Sequence, residues 1–315
     1  MLGYVLKRLL HFIPVLLGVT VLVFALLRLA PGDAARLRLV ARGFDPSPEA
    51  LRELRETLGL NRPLGEQYLR WLGDIGRLDF GRSVVTGKPV LTEYLLHLKA
   101  SGALGFSALL FSAGIAFPAG VFSAMFKGRA FDALCRAAAI TFLSIPSFCL
   151  GLFFILFFSV TLGWFPSFGF GSFRHLVLPV LTLGLGSAAQ YTRFIRSVLL
   201  EEFSKDYIRA ARARGIKPVA LVWGLALKNA AAPVLTTLGM HLALLLGGSA
   251  VVEKVFSWPG AGKYLIDAIL QRDYPVVQCV VICLACFFAG INLLTDILCM
   301  LIDPQLRHST VKKAL

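Results

Sequence analysis

Tyr207-Ile-Arg-Ala-Ala-Arg-Ala-Arg-Gly215, followed at once by Ile216-Lys217-Pro218, is a basic, small-residue stretch between hydrophobic runs long enough to cross a bilayer. Read from Leu200, positions Phe203, Tyr207, Ala210, Ala211 and Arg214 follow helical spacing and share one face. Two alanines beside an aromatic make that face shallow, so another protein can approach it closely. Gly215 supplies the left-handed conformation that ends a helix, and Pro218 suits the first turn of the next one. The stretch predicts a helix, a sharp turn and a second helix, presented in water by a membrane-embedded body. It has the design of a docking lever for a soluble partner.

Composition reaches the membrane class independently. Of the 315 residues, 57% are hydrophobic and 16% charged, well below the roughly 25% charged of soluble domains. Runs of about 20 apolar residues span hydrocarbon, and six segments qualify: 9–30, 100–126, 133–162, 176–194, 233–255 and 279–302. Pro146 is placed to kink or divide the third. The first run is longer than the apolar core of a cleavable signal and is followed by Arg28 and Pro31 rather than by a small-residue cleavage site. Lys7 and Arg8 before it place the N-terminus in the cytoplasm, and an even number of spans returns the C-terminus to the same side.

The formal charge of +14 sits mainly in segments expected at the cytoplasmic membrane surface, which argues against a nucleic-acid partner and for membrane lipid. Between the first two runs lies a long outward segment with eleven basic and nine acidic residues. Long loops translocate largely regardless of charge, so its basic content does not contradict the topology. Within it, Leu51, Leu54, Leu58 and Leu60 mark one amphipathic stretch. Tyr68, Trp71, Leu72 and Ile75 mark a second, suited either to the outer membrane interface or to packing on the outer helix ends. The six cysteines all fall in or beside apolar runs; Cys279, Cys283 and Cys286 share one helical face and read as small apolar packing residues. No segment has the form Gly-x4-Gly-Lys-Ser/Thr, so the chain does not bind ATP by that route.

Further motifs follow in order along the chain: Pro31-Gly32-Asp33, Leu78-Asp79-Phe80-Gly81-Arg82-Ser83, Phe256-Ser257-Trp258-Pro259-Gly260, Arg272-Asp273-Tyr274-Pro275 and Asp303-Pro304-Gln305-Leu306-Arg307. Together with the lever they resemble the membrane-spanning permeases of bacterial ATP-binding-cassette importers, in the dipeptide, oligopeptide and nickel branch. The lever is similar to that superfamily's Glu-Ala-Ala loop: Ala210, Ala211 and Gly215 keep its spacing, while Arg209 stands in place of Glu. The resemblance implies an all-α membrane protein with about six transmembrane helices, a long first periplasmic segment and a cytoplasmic coupling-helix loop. The corresponding organisation is a first transmembrane helix in 1–30, a periplasmic segment at 31–99, and a permease domain over 100–315 with its coupling loop at 195–232.

The same resemblance implies no catalysis and no cofactor in this chain. ATP is used by two partner ATPase subunits, which engage Tyr207, Ala210, Ala211, Arg214, Gly215 and Pro218. A second permease and a periplasmic or lipid-anchored substrate-binding protein complete the assembly in the inner membrane. Polar groups inside spans are costly in hydrocarbon and mark function, so Met240 and His241 are candidate pathway residues, with His241 a possible metal ligand. Gly247 and Gly248 permit close helix approach in the same run. The expected cargo is nickel, free or chelated, on the look of Met240-His241 and of the Gly163–Phe173 segment; the alternative is a di- or oligopeptide.

Overall fold

The structure, a computed structural model, describes residues 2–29, 47–57 and 61–302. The Pro31-Gly32-Asp33 and Asp303–Arg307 motifs, with Leu58 and Leu60, lie outside those residues. The described chain is helical apart from turns and one isolated bridge between Arg82 and Pro89. In chain order come α1 (Leu2–Leu29), α2 (Pro48–Thr57), α3 (Leu64–Gly76), α4 (Val90–Met125) and α5 (Ala130–Ser144). Then follow α6 (Ser147–Phe154) with a π-helical extension (Ile155–Thr161), α7 (Phe173–Ser204) and α8 (Asp206–Ala213). A short α9 (Pro218–Leu221) runs through a π-helical stretch (Val222–Ala226) into α10 (Leu227–Gly248). The chain closes with α11 (Ala250–Val255), α12 (Ala261–Leu270) and α13 (Tyr274–Ile302).

Among the described residues four helices are long and apolar enough to cross a membrane: Val5–Leu29, Val90–Met125, Pro218–Leu245 and Tyr274–Leu301. At most 39% of the most apolar window in each is buried, so most of its surface is an outward apolar face, as lipid contact requires. The run with Pro146 is divided outright: α5 and α6 with its extension meet at 96° across Ile145 and Pro146. The fourth expected span, 176–194, lies in α7 and does not reach the same apolarity. Its 32 residues are ample in length, but Pro179, Gly184, Gly186, Gln190 and Arg193 interrupt the run. One side of α7 is packed on protein instead, with Leu178, Tyr191, Ile195 and Leu199 all buried. A helix so covered does not need an apolar circumference.

The chain divides into two compact units; of the three divisions, two fall inside α4 and α13 and one between Pro259 and Gly260. The first comprises residues 1–100 and 260–289. Its core gathers Val90 and Tyr94 of α4, Ala261 and Ala268 of α12, and Val276, Cys279 and Val280 of α13. The amphipathic face anticipated in 67–78 packs on α1: Tyr68 and Trp71 lie 5.4 and 5.6 Å from the Phe24 ring, and the Tyr68 hydroxyl is 2.9 Å from Thr20 Oγ1. Asp273 pins the loop before α4. It accepts from the Ser83 hydroxyl at 2.5 Å and from the amides of Val84 and Val85 at 3.1 and 3.3 Å.

The second unit comprises 101–259 and 290–315. Around α7 it packs Ala116 and Val121 of α4, Ile208 of α8, Leu221 of α9 and Ala230 of α10. Close approach is bought with small residues. A Cβ on Gly120 would lie 2.8 Å from the Ile195 Cβ, and one on Gly239 only 2.0 Å from Thr295 Oγ1. Polar ties do the rest. Buried Asp132 accepts from Ser123 Oγ at 2.6 Å, the Gly128 amide at 3.0 Å, and Arg196 Nε and Nη2 at 2.6 and 2.9 Å. Buried Glu253 accepts from Ser101 at 2.5 Å and Ser249 at 2.8 Å.

Candidate functional site

The helix, turn and second helix expected of the lever are present, but the first helix has a different register. α7 stops at Ser204, Lys205 is extended (ψ 149), and α8 starts afresh at Asp206. Phe203 and Tyr207 therefore do not share a helix, and the face anticipated across that break does not form. α8 instead turns Ile208 and Ala211 inward, at 0% and 7% exposure, with Tyr207 half-buried. Ala210 and Arg214 face out with Arg209, Arg212 and Ala213. The signal missed in the sequence was Ile208: the one aliphatic residue longer than alanine in 205–215, three positions before Ala211, defines the packed side.

The turn that ends α8 fits its residues closely. The Ile216 amide donates to the Ala211 carbonyl at 3.3 Å and the Gly215 amide to the Arg212 carbonyl at 2.9 Å. These are the two bonds of a Schellman cap, with Gly215 at φ +79 as the left-handed residue. Pro218 then occupies the start of α9, where a missing amide hydrogen costs nothing. The π-helical stretch that follows joins this turn to membrane-crossing α10 without a break.

One buried carboxylate ties the lever to the body. Glu202, 6% exposed at the end of α7, accepts from Lys205 Nζ at 2.5 Å and from the Tyr207 hydroxyl at 2.6 Å. Asn229 of α10 donates to that same hydroxyl at 2.8 Å. Burial pushes the Tyr207 pKa up and the Glu202 carboxylate adds to it, so the phenol stays a donor. The hydrogen bond to Glu202 likewise raises the Lys205 pKa. Three helices thus meet at one phenol. The Arg209–Asp206 pair, at 3.4 Å and highly exposed on both sides, adds little. Beside the lever, a hollow of about 660 Å³ is lined by Met125, Lys127, Phe203, Arg212, Ile216 and Pro218.

The pathway candidates all lie on α10. Met240 is exposed on α10. His241 is half-buried with its ring 4.5 Å from that of Tyr191, and it borders a hollow of about 310 Å³ with Ser187 and Gln190 of α7. Gly247 and Gly248 form the last positions of α10. Among the described residues no group of three or more His, Cys, Asp or Glu side chains is placed to hold a metal ion. His241 has an aromatic neighbour in place of a ligand set, and Cys279 and Cys283 stand 3.9 Å apart as packing residues of α13.

A family model described as "Binding-protein-dependent transport system inner membrane component" matches residues 116–308, and its N-terminal companion matches residues 1–92. The glutathione transport system permease protein GsiC of Shigella flexneri serotype 5b is 40% identical over 308 residues, covering 98% of this chain and all of the relative. That of Salmonella paratyphi A is 41% identical over the same coverage. Among solved structures, an inward-facing MetNI methionine ABC transporter chain matches with a TM-score of 0.59 at 24% identity, covering 69% of this chain and 99% of that one. The last likeness shows the fold alone.

Proposed function

The chain belongs to the binding-protein-dependent transport system inner membrane components, and on that premise we propose that it forms half of the translocation pathway of an ATP-driven importer of short peptides. It is a membrane-embedded permease subunit and not an ATPase, and its family implies ATP-binding and substrate-binding partners. In our reading a second permease completes the pathway, two ATPase subunits use the ATP, and both termini of this chain are cytoplasmic. The chain itself needs no cofactor.

The observation that carries the cargo is full-length identity of about 40% to permeases named for glutathione, a tripeptide. Nickel, the cargo first expected, has no support among these relatives, and His241 lacks co-ligands among the described residues. The peptide alternative is therefore favoured, with His241 lining the path.

The lever supplies the coupling. Exposed Ala210, Arg214 and their neighbours on α8 are where an ATPase surface engages. Buried Ile208 and Ala211 fix α8 to the body, and the Glu202–Tyr207–Asn229 chain passes its displacement to α7 and α10. Gly215 and Pro218 hold the turn rigid. The test is uptake of radiolabelled glutathione, dipeptides and nickel in cells lacking this gene and in cells given it back. Peptide uptake that vanishes and returns with the gene, with nickel uptake unchanged, is the expected result. Loss of nickel uptake with peptide uptake intact would refute it.

A further inference from the structure

One side of α7 is the wall of two joined hollows. The hollow that holds His241 and a second of about 620 Å³ share Leu143 and Gln190. The α7 residues lining them recur at three- and four-residue intervals from Leu183 through Ser187, Gln190 and Arg193 to Ser197, so the groove follows the helix. Gln190 and Arg193 of this stripe are among the residues that keep α7 from the apolarity of its neighbours. Ionisable and amide side chains in a membrane domain face a water-filled cavity or the bundle interior, and here they face the groove.

Charge is concentrated at one end. Arg136 of α5 and Arg193 and Arg196 of α7 line the larger hollow, against one nearby carboxylate, Asp132. Asp132 is sealed at 1% exposure and engaged in both bonds from Arg196. Arg136 stands 3.7 Å from it, with 55% of its side chain exposed. Arg193 is exposed and pairs with no carboxylate among the described residues. Two guanidiniums therefore point into the groove, with the Gln190 amide and the Ser197 hydroxyl beside them. Guanidinium is suited to bidentate bonding of carboxylate.

We propose that Arg136 and Arg193 form an anion subsite in the pathway that takes the carboxylates of a passing peptide, and so favours acidic peptides over neutral ones. This rests on the peptide-import reading and deepens it. A peptide carries at least one carboxylate and glutathione carries two, so the subsite discriminates by the second charge. The groove is open and polar, which suits a transient hold better than tight capture.

The test uses the complete transporter in vesicles. Arg193→Gln is expected to lower glutathione uptake about tenfold relative to uptake of Ala-Ala, with Arg193→Lys recovering most of it and Arg136→Gln acting in the same direction. Equal loss for both peptides, or no loss for either, overturns the subsite. So does release of a bound anionic phospholipid from Arg193→Gln, seen by native mass spectrometry, with uptake unchanged; the groove would then hold a lipid headgroup. A second measurement does not depend on cargo. With Ser197→Cys, a negatively charged thiol reagent should outpace a positively charged one, against the background of the native cysteines, and Arg193→Gln should abolish the difference. If the wild-type transporter moves no peptide, the peptide reading fails by itself. The reagent ratio still decides the anion subsite: a ratio indifferent to Arg193 overturns it, and one that depends on Arg193 supports it.

Discussion

Replacing Gly215 isolates backbone conformation from packing. The residue sits at φ +79, and a Cβ built there meets no atom within 4 Å. Gly215→Ala therefore introduces no clash, and its cost is the left-handed backbone alone, about 1 kcal/mol. A β-branched side chain in that region is a stronger outlier, so Gly215→Val costs about 2 kcal/mol. Asparagine tolerates the left-handed region, so Gly215→Asn costs least. At about 1.4 kcal/mol per factor of ten, the valine chain loses the native turn relative to a relaxed one by more than tenfold. The Ile208 and Ala211 anchor is untouched, so the chain should reach the membrane in normal amount. In vesicles holding the whole transporter, cargo moved per ATP hydrolysed should rank glycine, asparagine, alanine, valine, with valine about tenfold down. Normal transport by Gly215→Val would refute the lever. Asparagine as poor as valine would show that the turn demands small size and not its dihedral.

Two further predictions concern the frame behind the lever. Asp132→Ala leaves Arg196 without its bidentate partner inside the second unit and should destabilise it by about 3–5 kcal/mol, as for other broken buried pairs. Adding Arg196→Met should restore part of the thermal stability measured in detergent, and additive losses would contradict the pairing. Gly239→Ala drives a methyl to 2.0 Å from Thr295 Oγ1 and should cost about 1–3 kcal/mol by overpacking. Pairing it with Thr295→Ala should recover part of the lost melting temperature; no recovery would mean that α10 and α13 do not meet there.

What the sequence disclosed were features governed by local backbone rules. Pro146 divides its run, Gly215 is the left-handed cap and Pro218 opens the next helix, because each follows from dihedral limits of one residue. The break at Lys205 escaped because nothing in Leu200–Gly215 forbids a continuous helix; the tertiary demand to bury Ile208 overrides local preference. α7 falls short of the apolarity of the other long helices for a related reason. Its polar residues look like defects in a lipid-facing helix and become sensible only once the groove beside them is seen. Asp132 with Arg196, 64 residues apart, and Ser83 with Asp273, 190 apart, join segments whose pairing no spacing rule announces. Cargo was least legible: His241 alone could not choose between nickel and a peptide, and what separates them is identity to relatives named for glutathione.

The 96° break between α5 and α6 has a consequence for the life of the subunit. Pro146 brings no amide hydrogen to the carbonyls that end α5, and hydrocarbon offers no donors either. Leu143, Ile145 and Phe148 around the bend are exposed, yet this stretch of backbone is unfit to face lipid. Within a bilayer, neighbouring protein or water has to meet that need. A bend left bare to hydrocarbon keeps those carbonyls unsatisfied, at a cost of roughly several kcal/mol each. Covering the bend is then a condition for the subunit's stability in the bilayer.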